Sequence, residues 1–253
     1  MTVYLVGAGP GDRGLLTLRA AELLARCDVV VFDRLVSAEI LAMVPDSAER
    51  IDVGKKPGDS ERQVTINEIL VDRGRKVGCV VRLKGGDPHV FGRAAEELMA
   101  LRQAGIAAEV VPGVSSAIAA PAAVGIPLTT RLAASGFTVV TAHQNPATDH
   151  DLDWDALARV GTTLVILMGA TRAALFRDRL LAGGMRPDTP VAIITEATTP
   201  TMLEKRLTLA ELGIAPVQNP SVIVIGAVAA LDLRSPFELT PEPSGATALE
   251  ARS

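Results

Sequence analysis

Short apolar runs alternate along the first half of the chain with segments whose apolar residues recur every three or four positions. The runs predict five strands, over residues 2–6, 29–32, 50–53, 77–83 and 108–111. The periodic segments predict helices between them, over residues 15–25, 37–43, 60–74 and 93–103. Strands that alternate with helices are typical of an α/β unit built on a parallel sheet.

A second series of elements begins after Pro112-Gly113, where the alternation is interrupted. It comprises helices over residues 115–123, 154–158 and 173–182 and strands over 137–142, 163–168, 191–195, 202–207 and 221–228. We therefore predict two α/β domains, 1–113 and 114–234. Residues 235–253 are rich in Pro, Ser, Thr and Glu without periodicity, which predicts a disordered tail.

Two glycine turns stand out from this pattern, Gly7-Ala8-Gly9-Pro10-Gly11-Asp12 and Gly85-Gly86-Asp87-Pro88. Each follows a run that predicts a buried strand. The carboxyl ends of parallel strands meet at one edge of a sheet, and open α/β folds bind their ligands there. We expect the functional site at this edge.

The first turn admits other interpretations. Gly7-x-Gly9, with Asp33 at the end of the second strand, is typical of a dinucleotide-binding unit. Position 12 is Asp rather than Gly, however, and its negative charge would compete with a pyrophosphate for the N–H groups of the turn. Pro10 also removes one backbone donor, so this turn is a poor pyrophosphate site. A tight turn with Asp12 as an acidic cap explains the first glycines but not the second turn.

Five segments together carry a family resemblance. They are Val3 to Asp12, Val31 to Ser37, Val81 to Pro88, Val111-Pro112-Gly113 and Gly125 to Thr129. In order and spacing they resemble the uroporphyrinogen-III C-methyltransferases of the tetrapyrrole methylase superfamily. The resemblance implies two α/β domains with the active-site cleft between them, S-adenosyl-L-methionine as co-substrate, and a homodimer. The implied reaction is methylation of uroporphyrinogen III at carbons 2 and 7, which gives precorrin-2.

The resemblance also assigns residues. Those expected to bind the cofactor are Pro10, Gly85, Gly86, Asp87, Val90, Ser115, Ser116, Met168 and Ala197. Asp33 matches the proton acceptor, Lys55 the proton donor, and Arg93 a residue that binds substrate carboxylates or assists proton removal. From the residues alone, Asp33 could equally be a helix cap, Lys55 a surface charge, and Val90 and Met168 core side chains.

Departures from the family pattern leave the substrate open. Thr130 stands where the family usually has His, so a titratable group is lost beside the expected substrate cleft. One alternative is therefore a sibling methylase that acts on a later precorrin. A second alternative, from another class of protein, is a nucleotide-binding module without methyl transfer.

Composition excludes several other classes. A net charge of −4 with 3% aromatic residues argues against nucleic-acid binding. Apolar runs are too short to span a bilayer and no basic leader precedes the first strand, so we expect no membrane partner and a cytoplasmic location. Cys27 and Cys79 are expected to be buried, unpaired thiols. The histidines lack the spacing of metal ligands, and the segment 149–153, with three aspartates, lacks the glycine and glutamate of a calcium loop, so no metal is expected.

Overall fold

The computed structural model describes residues 1–54, 61–131, 133–143 and 152–234, without the side chains of residues 61 and 62. Its first sheet has five strands, β1 (Thr2–Gly7), β2 (Val29–Phe32), β3 (Glu49–Asp52), β4 (Cys79–Lys84) and β5 (Ala107–Val111). All neighbours are parallel, in the order β3-β2-β4-β1-β5. The predicted parallel α/β unit is confirmed.

Helices cover both faces of this sheet: α1 (Leu18–Leu24), α2 (Ala38–Leu41), α3 (Glu61–Lys76) and α4 (Ala94–Gln103). Leu23, Leu24 and Ile40 from α1 and α2 pack on one face, against Leu83 of β4. Leu70 and Leu101 from α3 and α4 pack on the other. Because side chains alternate along a strand, Arg82 and Lys84 of β4 lie on the same face as each other, opposite to Leu83.

The second sheet also has five strands, β6 (Phe137–Thr141), β7 (Thr163–Leu167), β8 (Pro190–Thr195), β9 (Leu203–Thr208) and β10 (Ser221–Ile225). Their order is β6-β7-β10-β8-β9, and only β6 and β7 are parallel. Helix α5 (Ser116–Ala123) packs on this sheet through Ala117 and Ala120, while α6 (Trp154–Arg159) and α7 (Ala173–Ala182) contribute Trp154 and Phe176 to another cluster. The domain limits at residues 113 and 234 stay predictions, and the predicted tail lies outside the described residues.

Several elements differ by a few residues from the sequence prediction, and two of the differences have a clear local cause. The helix predicted over residues 15–25 starts at Leu18, because the Thr17 hydroxyl accepts a hydrogen bond from Ala20 N and caps it there. Its buried face consists of Ala20, Leu23 and Leu24, whereas Leu18 is 84% exposed. The last strand ends at Ile225 instead of Val228, since Gly226 has φ 139° and a short 3-10 turn follows.

Three glycines bring the ends of β1, β4 and β5 into backbone contact. A Cβ added to Gly7 would lie 2.5 Å from the Cα of Gly113 and 2.6 Å from the carbonyl oxygen of Gly86. A Cβ added to Gly113 would lie 2.3 Å from that same oxygen. Only glycine permits so close an approach of three backbones, and we call Gly7, Gly86 and Gly113 the glycine contact.

We predict that Gly113→Ala lowers the free energy of unfolding by about 1–3 kcal/mol, because the added methyl overlaps backbone atoms that cannot rotate away. Urea unfolding measures the loss. Gly136→Ala is the matched control, since the nearest atom to its added Cβ is 3.6 Å away, on Thr162. Equal stability of the two variants would contradict the close contact.

Candidate functional site

The two glycine turns are joined to each other by hydrogen bonds. Gly9 N donates to Gly86 O at 3.2 Å, and Gly86 N donates to Gly9 O at 2.7 Å. Ala8 N also donates to Lys84 O at 2.7 Å. The expectation that both turns lie at one edge of the sheet is therefore confirmed, and the two turns form one continuous wall.

Asp87 holds this wall to the end of β5. One carboxylate oxygen, Oδ1, accepts a hydrogen bond from His89 N at 2.8 Å, and Oδ2 accepts one from Gly113 N at 3.0 Å. Each carboxylate oxygen has a further lone pair. The carboxylate thus already has a structural function within the protein, with acceptor capacity left for a ligand.

Strained backbone is concentrated in three loops around this wall. Within the described residues, five residues other than glycine have positive φ: Phe91 (54°), Arg93 (58°), Met168 (55°), Glu196 (49°) and Thr198 (64°). They follow β4, β7 and β8. Such conformations cost about 1–3 kcal/mol each and tend to occur at functional sites. The sequence has no signal for them, since none of these residues favours the left-handed region.

The first turn also contacts the loop after β8, so the two sheets meet at the candidate site. Asp12 N donates to Thr198 Oγ1 at 3.2 Å. A Cβ on Gly11 would lie 2.9 Å from Thr199 Cγ2 and 3.4 Å from the carbonyl oxygen of Ala197. Ala197, a predicted cofactor residue, is therefore next to the first glycine turn.

The other predicted cofactor residues surround the same edge. Pro10 is half-buried between Gly9 and Gly11. Ser115 caps α5 by accepting a hydrogen bond from Ala117 N at 3.2 Å, and Ser116 begins that helix. Gly86 lies across from them, since its added Cβ would be 3.9 Å from both Ser115 Cα and Ser116 N.

Val90 and Met168 project outward instead of into a core. Val90 is 38% exposed and Met168 is 48% exposed. The alternative interpretation of both as core side chains is therefore wrong. Exposed apolar side chains beside a cleft are available to contact a ligand.

Asp33 follows β2 at the predicted edge of the sheet and is paired with a buried arginine. Arg82 Nη2 donates to Asp33 Oδ1 at 2.7 Å, and the Arg82 side chain is 2% exposed whereas that of Asp33 is 32% exposed. Asp33 is thus a partly accessible carboxylate that is held from the buried side by Arg82. Lys55, the predicted proton donor, lies outside the described residues.

Arg93 is at the site's edge but already has a partner. Its Nε and Nη2 donate to the two carboxylate oxygens of Glu96 at 2.7 and 2.6 Å, and this pair raises the pKa of Arg93. Half of the Arg93 side chain is exposed. A substrate carboxylate would share the guanidinium with Glu96 or displace it.

Sequence reasoning missed a buried charge cluster beneath Asp33. Glu97 of α4 is 0% exposed, and its Oε1 accepts hydrogen bonds from Lys84 Nζ at 2.8 Å and Arg82 Nε at 3.1 Å. Burial, with Arg82 beside it, lowers the pKa of Lys84. The available signal was the pair of cations within the otherwise apolar strand Val80-Val81-Arg82-Leu83-Lys84.

Comparison with known proteins agrees with this arrangement. The family model for tetrapyrrole (corrin/porphyrin) methylases matches residues 2–213. An S-adenosyl-L-methionine-dependent uroporphyrinogen III methyltransferase of Methanosarcina barkeri is 45% identical over 235 residues, which cover 89% of this chain and 91% of that protein. The chain therefore belongs to the tetrapyrrole methylase family.

A further relative and a solved structure are also similar to this chain. A siroheme synthase of Edwardsiella ictaluri is 47% identical over 232 residues, 90% of this chain, but the chain spans only about half, 50%, of that relative's length. The crystal structure of uroporphyrin-III C-methyl transferase from Thermus thermophilus complexed with S-adenyl homocysteine superposes with a TM-score of 0.80. It is 41% identical, and the match covers 91% of this chain and 99% of that one. The predicted two-domain tetrapyrrole methylase fold is confirmed.

No described helix combines the length and apolar character needed to cross a bilayer. Within the described ranges, no group of three His, Cys, Asp or Glu side chains could hold a metal ion.

We predict that the buried charge of Lys84 makes stability depend on pH. Its folded pKa lies below the ordinary 10.5, so between these two values the unfolded chain binds more protons. The free energy of unfolding should therefore rise with pH across that window. Urea unfolding at a series of pH values from neutrality up to 10.5 measures the slope. Lys84→Met is the control, because it lacks the titrating group, and equal slopes for the two proteins would refute the prediction.

Proposed function

We propose that this chain is an S-adenosyl-L-methionine-dependent methyltransferase that methylates uroporphyrinogen III at carbons 2 and 7, giving precorrin-2. The observation that carries the proposal is the wall formed by the two glycine turns, which faces strained loops from the second sheet. It supports a cleft in which backbone groups approach a ligand closely. Relatives that cover most of this chain and are named as methyltransferases of this substrate class support the chemistry.

The cofactor residues divide into four kinds of contact. Gly85, Gly86 and Pro10 present backbone at the wall, while Asp87 offers its remaining lone pairs to ribose hydroxyls or an ammonium group. Ser115 and Ser116 bring the start of α5 to the same edge. Val90, in the loop after β4, and Met168 and Ala197, in loops of the second sheet, supply apolar surface. Met168 is suited to adenine or sulfur because its side chain is polarisable.

The reaction needs alignment more than covalent catalysis. The sulfonium is already an activated electrophile, so a nucleophilic pyrrole carbon takes the methyl group, and S-adenosyl-homocysteine leaves with the electron pair of the broken C–S bond. The methylated macrocycle then loses a proton from a neighbouring bridge carbon. Asp33, which is partly exposed and held by Arg82, is the proposed acceptor. Lys55 is the proposed donor, and Arg93 binds substrate carboxylates or assists proton removal.

A turnover experiment tests the substrate and Asp33 together. Incubated anaerobically with uroporphyrinogen III and S-adenosyl-L-methionine, the wild-type chain should yield a product heavier by two methyl groups in mass spectrometry. Asp33→Asn should slow turnover by about a hundredfold or more, because an amide cannot accept the proton. Calorimetry with S-adenosyl-homocysteine should give the same affinity for both proteins, since Asp33 is not a cofactor ligand.

Asp153→Asn is the control, because Asp153 caps α6 through Ala156 N and asparagine caps as well. Equal loss of cofactor affinity in Asp33→Asn would make Asp33 a cofactor ligand. Methyl gain only on a later precorrin would favour the sibling methylase. Tight binding of NAD without binding of S-adenosyl-homocysteine would favour the nucleotide-binding module.

Met168 provides an independent test of the cofactor site. Met168→Ala should weaken S-adenosyl-homocysteine binding by about 1–2 kcal/mol, because it removes apolar surface that the ligand would cover. Met99→Ala is a matched control, since Met99 is similarly exposed, at 56%, but lies on α4. Titration calorimetry measures both. An equal effect of the two substitutions would remove Met168 from the site.

Two further expectations, one from the resemblance and one from the apolar runs of the sequence, stay predictions. The chain is proposed to act as a homodimer, which light scattering during size-exclusion chromatography would measure. A cytoplasmic location is proposed as well, in keeping with the apolar runs of the sequence, which are too short for a bilayer.

A further inference from the structure

Glu97 is a buried carboxylate that the proposed reaction does not use. It lies on α4, on the face that packs against the sheet, and is 0% exposed, so it cannot touch a substrate in the cleft. Its Oε1 accepts hydrogen bonds from Lys84 at 2.8 Å, Arg82 at 3.1 Å and Gln63 at 3.4 Å. Its Oε2 has no partner among the described residues.

The partner that connects Glu97 to the site is Arg82. The guanidinium is held on each of its sides: Nε donates to Glu97, Nη2 to Asp33 at 2.7 Å, and Nη1 to the carbonyl oxygens of Val31 and Leu83 at 3.4 and 3.2 Å. Because a guanidinium is planar and rigid, the acceptor at Nε sets the direction in which Nη2 points. The oxygen of Glu97, together with the carbonyls of Val31 and Leu83, therefore fixes the direction from which Arg82 holds Asp33.

Charge balance alone does not account for this arrangement. Arg82 and Lys84 are balanced by Asp33 and Glu97, but burying such pairs is weak evidence for stability, because desolvation offsets the attraction. Apolar side chains would fill the same space, as Leu70 and Leu101 do nearby. What an apolar replacement could not do is orient the guanidinium that reaches Asp33.

We infer that Glu97 is a positioning residue, which orients Arg82 from the buried side so that Arg82 holds the Asp33 carboxylate in place for proton transfer. The inference rests on the proposed function for the role of Asp33. It concerns the reach of the Glu97 oxygen as well as its charge, and these two properties can be separated by substitution.

Glu97→Asp keeps the charge and withdraws the oxygen by one methylene group. If Glu97 positions Arg82, kcat should fall roughly ten- to a hundredfold while KM for both substrates stays within about twofold of the wild type. If Glu97 only neutralises its neighbours, Glu97→Asp should retain the wild-type kcat, which would overturn the inference. Glu97→Gln keeps the reach and removes the charge, and should retain more activity than Glu97→Asp.

Leu101→Val controls for the small cavity that a shorter side chain leaves. Leu101 is 0% exposed, one helical turn after Glu97 on α4, and it has no hydrogen bond to Arg82. It also loses one methylene group. Its melting temperature should fall comparably to that of Glu97→Asp while its kcat stays at the wild-type value. A comparable kcat loss in Leu101→Val would attribute the effect to packing and overturn the inference.

A second measurement does not require turnover. In the ligand-free protein, the Nε–H signal of Arg82, assigned by comparison with Arg82→Lys, should exchange with water at least about tenfold faster in Glu97→Asp than in the wild type or Leu101→Val. Unchanged exchange would overturn the positioning role. If the wild-type chain methylates no tetrapyrrole, the proposed function fails, and this measurement still decides whether Glu97 orients Arg82.

Discussion

The glycine contact between β1, β4 and β5 is the constraint on which the rest of the site depends. Gly7, Gly86 and Gly113 allow three strand ends to approach until their backbones touch. At that separation the two turns exchange hydrogen bonds through Gly9 and Gly86. A side chain at Gly7 or Gly113 would overlap the neighbouring backbone and separate the strand ends, and the wall that faces the second sheet would no longer be continuous. The steric requirement at these glycines thus determines the shape of the wall at the candidate site.

Beneath this wall, the first sheet uses charges where a core normally has apolar residues. Arg82 and Lys84 point toward α3 and α4, and Glu97 meets them there. Burial of these charges is unfavourable, and for this reason the pKa of Lys84 is lowered. A cluster of this kind is sensitive to distance and orientation, since each partner that is removed leaves a buried charge uncompensated. Such sensitivity fits the proposed role of the cluster, which is to hold the Asp33 carboxylate in a single position.

Much of the fold could be predicted from the sequence, because its signals are local. Apolar runs marked the five parallel strands, and the glycine turns marked the edge of the sheet at which β1 and β4 end side by side. The start of α1 was predicted three residues too early because apolar residues also occur outside its buried face, as the exposed Leu18 does. The mixed direction of the second sheet was not predicted, since strand direction depends on connections that periodicity does not report.

The site was less predictable, for physical reasons that differ between residues. The left-handed conformations of Phe91, Met168 and Glu196 are imposed by their surroundings, so residue type does not indicate them. Glu97 is distant in sequence from Asp33, and only the fold brings the cluster between them together. Asp87 was expected to serve the ligand, whereas its carboxylate also holds His89 and Gly113. In each case the information lies in a tertiary contact that spacing along the chain does not encode.

The two sheets make different contributions to the cleft, and this difference follows from their connections. In the first sheet the turns are held by hydrogen bonds to one another and to β4, which makes that wall rigid. In the second, the loops after β7 and β8 contain strained residues, and Thr198 accepts the Asp12 backbone hydrogen bond from the first turn. Strain there is maintained only while neighbouring contacts hold it, and the Asp12–Thr198 contact comes from the other sheet. The first glycine turn thus supplies one of the contacts that hold the strained loop after β8, so the conformation of that loop is coupled to the first sheet.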